Sequence, residues 1–436
     1  MSRQSGGTQQ NFRCCTLTMA TSEPQKLPFD AVLSILDRIT DKNSLYECAR
    51  TCRSFHEAVI PNLYKSISVV VARYHKSLPQ LGPFKAIETH PYLRQYVKSV
   101  EISLGLYDYN MHRDRLVPLW KALSHLSNIT SFTLKHPEDT YFHLPGILTA
   151  SIVSALAGCE KLERLTVLSA ISAISIERFS SLKTVKAVRF GHLLSSQTLN
   201  ALGKWFRQAE GGFHTLGILI AHAVGAGDID QLTPYVSSLH TLHIGRNHGL
   251  PPRDLLSLLV HTPRLQFLDV TYYGPQPLGL VERGSGYLNQ LQNLAVRYYG
   301  FSDLSSSHDF HHWIEYVASS SPLKSFSLIS NDRRKYELAR ELLSILYTKT
   351  ELEVLNIPDV LLGRSELGTL LGTFKKLRVL SLFLPDINLL VRFSQVPRPH
   401  KRSSAHPLAG VLSFIQIKRP AAYINYRDIP ASPKNC

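Results

Sequence analysis

Nineteen histidines, six cysteines and 33 acidic residues are the groups in this chain that could ligate a metal, attack a substrate or move a proton. The densest histidine cluster is His308-Asp309-Phe310-His311-His312. A zinc site needs further ligands at fixed spacing, and none stands nearby, so the cluster reads as a polar loop. His240, His243 and His248 fall on or beside one predicted strand, where exposed side chains are expected. Cys48 and Cys52 lie four residues apart, and free cysteine packs as a small hydrophobe, so both read as core. No phosphate-binding G-x-x-x-x-G-K-[ST] loop, H-E-x-x-H zinc helix or G-x-S-x-G elbow occurs. Nothing in these spacings looks catalytic, and no metal or cofactor is expected. Binding is the remaining option.

The elements that would hold a binding surface repeat along the chain. The pattern apolar-x-x-apolar-x-apolar starts at residues 97, 129, 162, 182, 213, 239, 265, 291, 323, 352 and 377, as in Leu239-Leu242-Ile244 and Leu265-Leu268-Val270. The four copies beginning at Phe213 are each 26 residues apart. Alternation in the second half of each copy predicts a short strand with one buried face. Helical segments lie between. Pro251-Pro252 opens one with leucines along one side, and Asn331-Asp332 caps another predicted over residues 333–347. Strands stack about 4.8 Å apart, whereas helices need roughly 8–10 Å, so such an array curves with its strands on the inside.

These copies resemble the leucine-rich repeat family over residues 93–390, although the asparagine or cysteine that usually follows the core motif is missing from most of them. The resemblance implies an α/β solenoid, a horseshoe with parallel strands on its concave face. Side chains flanking the inward leucines then point to that face. They include Arg164 and Thr166, Thr184 and Lys186, Thr241 and His243, Phe267 and Asp269, and Asn293 and Arg297. Asp269 and Arg297 are expected as an exposed pair at equivalent positions of adjacent rungs. Tyr272, Tyr273, Tyr298 and Tyr299 follow their strands at the rim, where aromatics beside arginine favour partner binding, although one tyrosine of each pair could instead pack under its loop. Arg164, Lys186, His243, Asp269, Tyr272, Arg297 and Tyr298 are the candidate substrate contacts.

Upstream, residues 26–66 read as three short helices: Phe29 to Ile39, Leu45 to Ala49, and Thr51 to Ile60, with Pro61 ending the unit and Ile67 to Val71 entering the solenoid as a strand. So small a unit is marginal alone. Leu27-Pro28, Ile35-Leu36, Ile39, Leu45 and Thr51-Cys52-Arg53-Ser54-Phe55 resemble the F-box family in order and spacing. That resemblance implies docking on a Skp-family adaptor and, through it, a cullin–RING ubiquitin ligase, with the solenoid capturing a protein substrate. Leu27, Pro28, Ile35, Leu36, Leu45 and Phe55 are then the adaptor interface or its support.

Charge and composition narrow the partners. Lysine and arginine outnumber aspartate and glutamate 48 to 33. Nearly half of the net +15 lies in residues 389–436, where prolines and a missing helical period predict a flexible basic tail over 391–436. Residues 1–25 carry no structural pattern and no secretory signal, and Met19 could be an alternative start. The longest apolar stretch, Leu144 to Gly158, is too short to span a bilayer. The expectation is therefore a non-catalytic adaptor of the cytoplasm or nucleus, with no membrane partner. The rival is a leucine-rich-repeat interaction protein with no ligase role, its basic tail meeting nucleic acid or another acidic partner.

Overall fold

The computed structural model describes residues 29–71, 82–104, 113–135, 144–193, 195–209, 212–220, 231–247, 252–273, 288–299, 304–330, 336–337 and 340–383. The proposed segments 1–25 and 391–436 lie outside these residues, as do Leu27 and Pro28. The chain divides into two compact units, Met1–Tyr64 and Lys65–Cys436.

In the first unit, α1 (Phe29–Leu36), α2 (Lys42–Ala49) and α3 (Arg53–Tyr64) enclose Val32, Leu36, Leu45, Ala58 and Val59. Leu33, Ile39, Cys48, Phe55 and Leu63 pack against that core from its margin. Asp41 caps α2, its carboxylate accepting from Ser44 N at 2.7 Å. The third helix runs four residues past its predicted end, straight through Pro61. Proline holds φ near the helical value and removes one donor, so a final turn can follow it. Cys52, expected in the core, is exposed, because it stands just before α3 and outside the face that packs.

The second unit is a 13-stranded sheet whose strand pairings are all parallel. Strands β1 (Ser66–Val71), β2 (Ser99–Leu104), β3 (Ser131–Lys135), β4 (Arg164–Ile171), β5 (Ala187–Leu193), β6 (Thr215–Ile220) and β7 (Thr241–Asn247) follow one another in space as in sequence. They continue through β8 (Phe267–Tyr273), β9 (Asn293–Tyr299), β10 (Ser325–Ser330), β12 (Val354–Leu361) and β13 (Val379–Phe383). The two-residue β11 (Tyr336–Glu337) pairs with the far end of β12. Residues 333–347, expected as one helix, therefore yield that short strand before a helix confined to Arg340–Tyr347.

Alternation sets the two faces. In β2 every second residue, Val100, Ile102 and Leu104, is buried, and the intervening residues are half-exposed. On the buried side lie α4 (Gly82–Thr89), α5 (Arg113–Ser124), α6 (Gly146–Leu156), α7 (Ala173–Phe179), α8 (Ser196–Gln208), α9 (Pro252–Val260), α10 (Leu304–Ser319), α11 (Arg340–Tyr347) and α12 (Arg364–Thr373). Each supplies an apolar stripe, such as Leu148, Ile152 and Leu156 of α6. Burial of each such side chain stabilises by about 1.5–3 kcal/mol. The His308–His312 cluster, expected as a loop, lies within α10, whose Trp313, Ile314 and Val317 are buried at helical spacing.

Successive rungs are joined at their starts by one repeated contact. The carbonyl of Lys65 accepts from both Lys98 N and Ser99 N, and that of Lys98 from Thr130 N and Ser131 N. The same doubled acceptance runs through Thr130, Glu163, Lys186, His214, His240, Gln266, Gln292, Lys324 and Glu353, the last receiving Arg378 N and Val379 N. This ladder is made of backbone alone, so it survives where the family's asparagine is absent. It also corrects one repeat. Leu165 is in register with Val188, so the fourth copy reads Val185-Val188-Phe190 rather than starting at Leu182.

Candidate functional site on the open face of the sheet

The face of the sheet away from the helices carries columns of side chains one rung apart. Glu101, Thr133, Thr166, Arg189, Gly217, His243, Asp269, Ala295, Ser327 and Asn356 form one such column, each in register with the next. Lys135 pairs with Glu101 at 2.8 Å, and Asn356 donates to Ser327 Oγ at 2.9 Å. Between β5 and β9 the face sinks into a hollow of about 160 Å³, lined by Arg189, Leu219, His243, Gly245, Asp269, Thr271, Arg297 and Tyr299 among others.

Two glycines permit close approach around it. Gly217 bares the β6 rung, and a Cβ there would stand 2.6 Å from Arg189 Cγ, so the Arg189 stem lies over it. Gly245 sits where the β7–β8 register breaks, and a Cβ there would fall 2.0 Å from the Leu219 carbonyl oxygen. Both are sites of close approach that no larger residue can occupy without displacing its neighbours.

Asp269 is the polar centre of the hollow and only 8% exposed. Arg297 donates one guanidinium nitrogen to both carboxylate oxygens, at 2.8 and 3.0 Å, and His243 Nδ1 lies 3.3 Å from Oδ2. Burial alone would raise the Asp269 pKa. The hydrogen bond to His243 and the charge and hydrogen bond of Arg297 outweigh it, so the carboxyl ionises below its usual range. Phe267 packs against the His243 ring with centroids 5.1 Å apart, which orients the imidazole.

Of the seven sequence candidates, the fold brings His243, Asp269 and Arg297 together. Asp269 and Arg297 are neighbours, but not by equivalence: Asp269 is in register with Ala295, and Thr271 with Arg297. Arg297 therefore reaches back diagonally across one rung, and its partner is buried rather than exposed. Arg164 is exposed on β4, away from the hollow. Lys186 and Thr184 precede β5 and lie in its entering turn, where Thr184 Oγ1 donates to the Leu162 carbonyl. Arg189 holds the open-face position instead.

Tyr272 and Tyr298, expected at the rim, are buried on the helix side. The strands run three residues further than the motif, and alternation carries Leu268-Val270-Tyr272 and Leu294-Val296-Tyr298 inward. Tyr272 meets Trp313 of α10 edge-on at 5.2 Å, and burial pushes its phenol pKa well up. Tyr299 faces the hollow. Sequence reasoning missed Arg189, and it placed Tyr299 at the rim but chose Tyr298 as the contact. Starting the fourth copy at Val185 and extending the strands by one alternation would have found both.

On the helical unit, Ile35 is 52% exposed, whereas Leu36 and Leu45 are 1% and 3% exposed. Phe55 is partly buried against the core. Leu36 and Leu45 thus hold the helices together, while Ile35 and Tyr46 remain uncovered within the chain. Among the described residues no group of three or more His, Cys, Asp or Glu could hold a metal ion, and no helix is long and apolar enough to cross a membrane.

Residues 24–69 match the F-box-like family model. No curated protein matches the chain. Among solved structures, the crystal structure of the TLR13–ssRNA13 complex is similar at 15% identity and a TM-score of 0.35, over 66% of this chain and 36% of that one. This chain thus spans about a third of the length of that structure. The chain joins an F-box-like domain at residues 24–69 to an all-parallel, repeat-built α/β sheet that resembles a leucine-rich-repeat solenoid.

Proposed function

We propose that this protein is the substrate receptor of a Skp–cullin–F-box type ubiquitin ligase. The F-box-like unit docks on a Skp-family adaptor, which links the chain to a cullin, and the open face of the repeat sheet holds the protein to be modified. The observation that carries this reading is the F-box-like match at residues 24–69, on a unit that leaves Ile35 half-exposed outside a closed core. An aliphatic side chain so placed gains by being covered by a partner. Ile35, with Leu27, Pro28 and Phe55, makes the adaptor contact in this reading, and Leu36 and Leu45 support it. Arg164, Lys186, His243, Asp269 and Arg297 are the candidate contacts on the substrate side.

The receptor performs no bond chemistry of its own. It raises the effective concentration of a substrate lysine near a charged ubiquitin-conjugating enzyme, a proximity effect that needs only simultaneous, correctly spaced binding. The test is co-purification of the full chain with a Skp-family adaptor, beside Ile35→Asp. The wild type is expected to retain the adaptor and the variant to lose it while keeping its helical circular dichroism. Equal recovery with both proteins overturns the docking surface. Recovery of nucleic acid with steep salt dependence, and of no adaptor, overturns the ligase role altogether.

A further inference from the structure

Within the hollow Asp269 and Arg297 compensate one another, and Arg189 is left over. Its side chain crosses the bare Gly217 rung into the depression. Its Nε is shut off from solvent and has no hydrogen-bond partner, and no carboxylate among the described residues pairs with it. The Nε is thus sealed against the protein, and the terminal guanidinium nitrogens, which are not shut off, are the donors that can meet a ligand in the hollow. Arginine and aspartate together give the hollow two guanidinium charges and one carboxylate, a net charge of one positive unit. A guanidinium presents a planar fork that matches a carboxylate bidentately.

We propose that this hollow receives a single carboxylate carried by a peptide of the captured protein, with Arg189 as its recognition fork. The carboxylate belongs either to an aspartate or glutamate side chain or to a chain terminus, since both present the same two oxygens. A monoanion matches the one uncompensated charge, whereas a phosphate dianion would exceed it and would face the Asp269 carboxylate in the same small space. His243 and Thr271 flank the bound group, and the Asp269–Arg297 pair holds the far wall in place. The proposal rests on the open face being the capture surface and is independent of adaptor docking.

The test selects peptides from a random displayed library on the full-length chain, without any adaptor, and measures synthetic versions of those recovered by fluorescence anisotropy. Recovered peptides are expected to depend on one carboxylate. Changing it to the amide, whether by Glu→Gln, Asp→Asn or C-terminal amidation, weakens binding about tenfold or more. Arg189→Gln produces the same loss, the two changes together add little further, and Arg189→Lys, which keeps the charge without the fork, falls between. The amidation and side-chain arms separate the two sources of the carboxylate. Binding that is indifferent to Arg189→Gln, tighter binding of a phosphoserine version, or a library that yields no carboxylate-dependent peptide overturns the proposal. Should Arg189→Gln fail to fold, the Arg189→Lys variant and the peptide amides carry the same comparison. Loss of adaptor co-purification leaves this measurement standing, so the two readings fail separately.

Discussion

Removal of Arg297 tests the account of the hollow, because its partner is buried. An exposed ion pair contributes only about 0–1 kcal/mol, and breaking a fully buried one costs about 3–5 kcal/mol. The Arg297 side chain is 43% exposed and that of Asp269 10%, so the pair lies between these limits. Arg297→Ala removes the donor at 2.8 and 3.0 Å and leaves the carboxylate with His243 at 3.3 Å. One nitrogen makes both contacts, so they count as a single charge-assisted bond, and the expected loss is about 2 kcal/mol. Urea unfolding followed by tryptophan fluorescence suits the measurement, since Trp313 packs on Tyr272, three residues from Asp269. The pH dependence has a definite sign. The folded-state pKa of Asp269 lies below its unfolded value, so the stabilisation is fully present above the ordinary value of about 3.9 and is lost as pH falls through the folded-state pKa. In an Asp269→Asn background, Arg297→Ala should cost little. An Arg297→Ala protein as stable as wild type at pH 8, or an equal cost in both backgrounds, would refute the reasoning.

Three further outcomes follow from the same geometry. Gly245→Ala drives a methyl into the Leu219 carbonyl and should destabilise the sheet by about 1–3 kcal/mol, read as a lower urea midpoint, whereas Gly158→Ala, with nothing within 4 Å, should be near neutral. Leu36→Ala opens the core of the helical unit and should cost about 2–5 kcal/mol, measured as lost helicity or protease resistance of that unit, in contrast to Ile35→Asp. Burial pushes the Cys159 thiol to about 11, so in the folded protein at pH 8 mass spectrometry should find Cys159 unalkylated after iodoacetamide while exposed Cys52 is modified.

The repeat was legible because its signal is redundant: strand after strand buries the same two apolar positions, so ten correct frames stand beside the one displaced to Leu182. That frame slipped because Leu182 and Val185 are both buried at a spacing of three, and only the pairing of Leu165 with Val188 separates them. The site was harder to read because it depends on quantities that alternate with strand length. The longer β8 and β9 turned Tyr272 and Tyr298 inward and placed Tyr299, rather than Tyr298, at the hollow. The setting of Asp269 was also hidden, because its partners His243 and Arg297 come from the two neighbouring strands rather than from its own segment. In the helical unit, Ile35 and Leu36 are adjacent apolar residues with opposite fates, decided by which side of α1 meets α3.

The doubled acceptance at each rung start has a consequence for how such a chain can be lengthened or shortened. Each carbonyl fixes only where the next strand begins, and asks nothing of the side chains or of the path taken in between. Leu162 to Val185 spans 23 residues and Ile129 to Leu162 spans 33, yet both rungs enter the ladder alike. Differences in rung length thereby leave the ladder's contact unchanged. A whole rung could be excised or duplicated, and the remaining carbonyls would find new partners of the same kind. The open face is therefore edited in units of one strand, like type set in a composing stick, and its chemistry can diverge rung by rung while the ladder is kept.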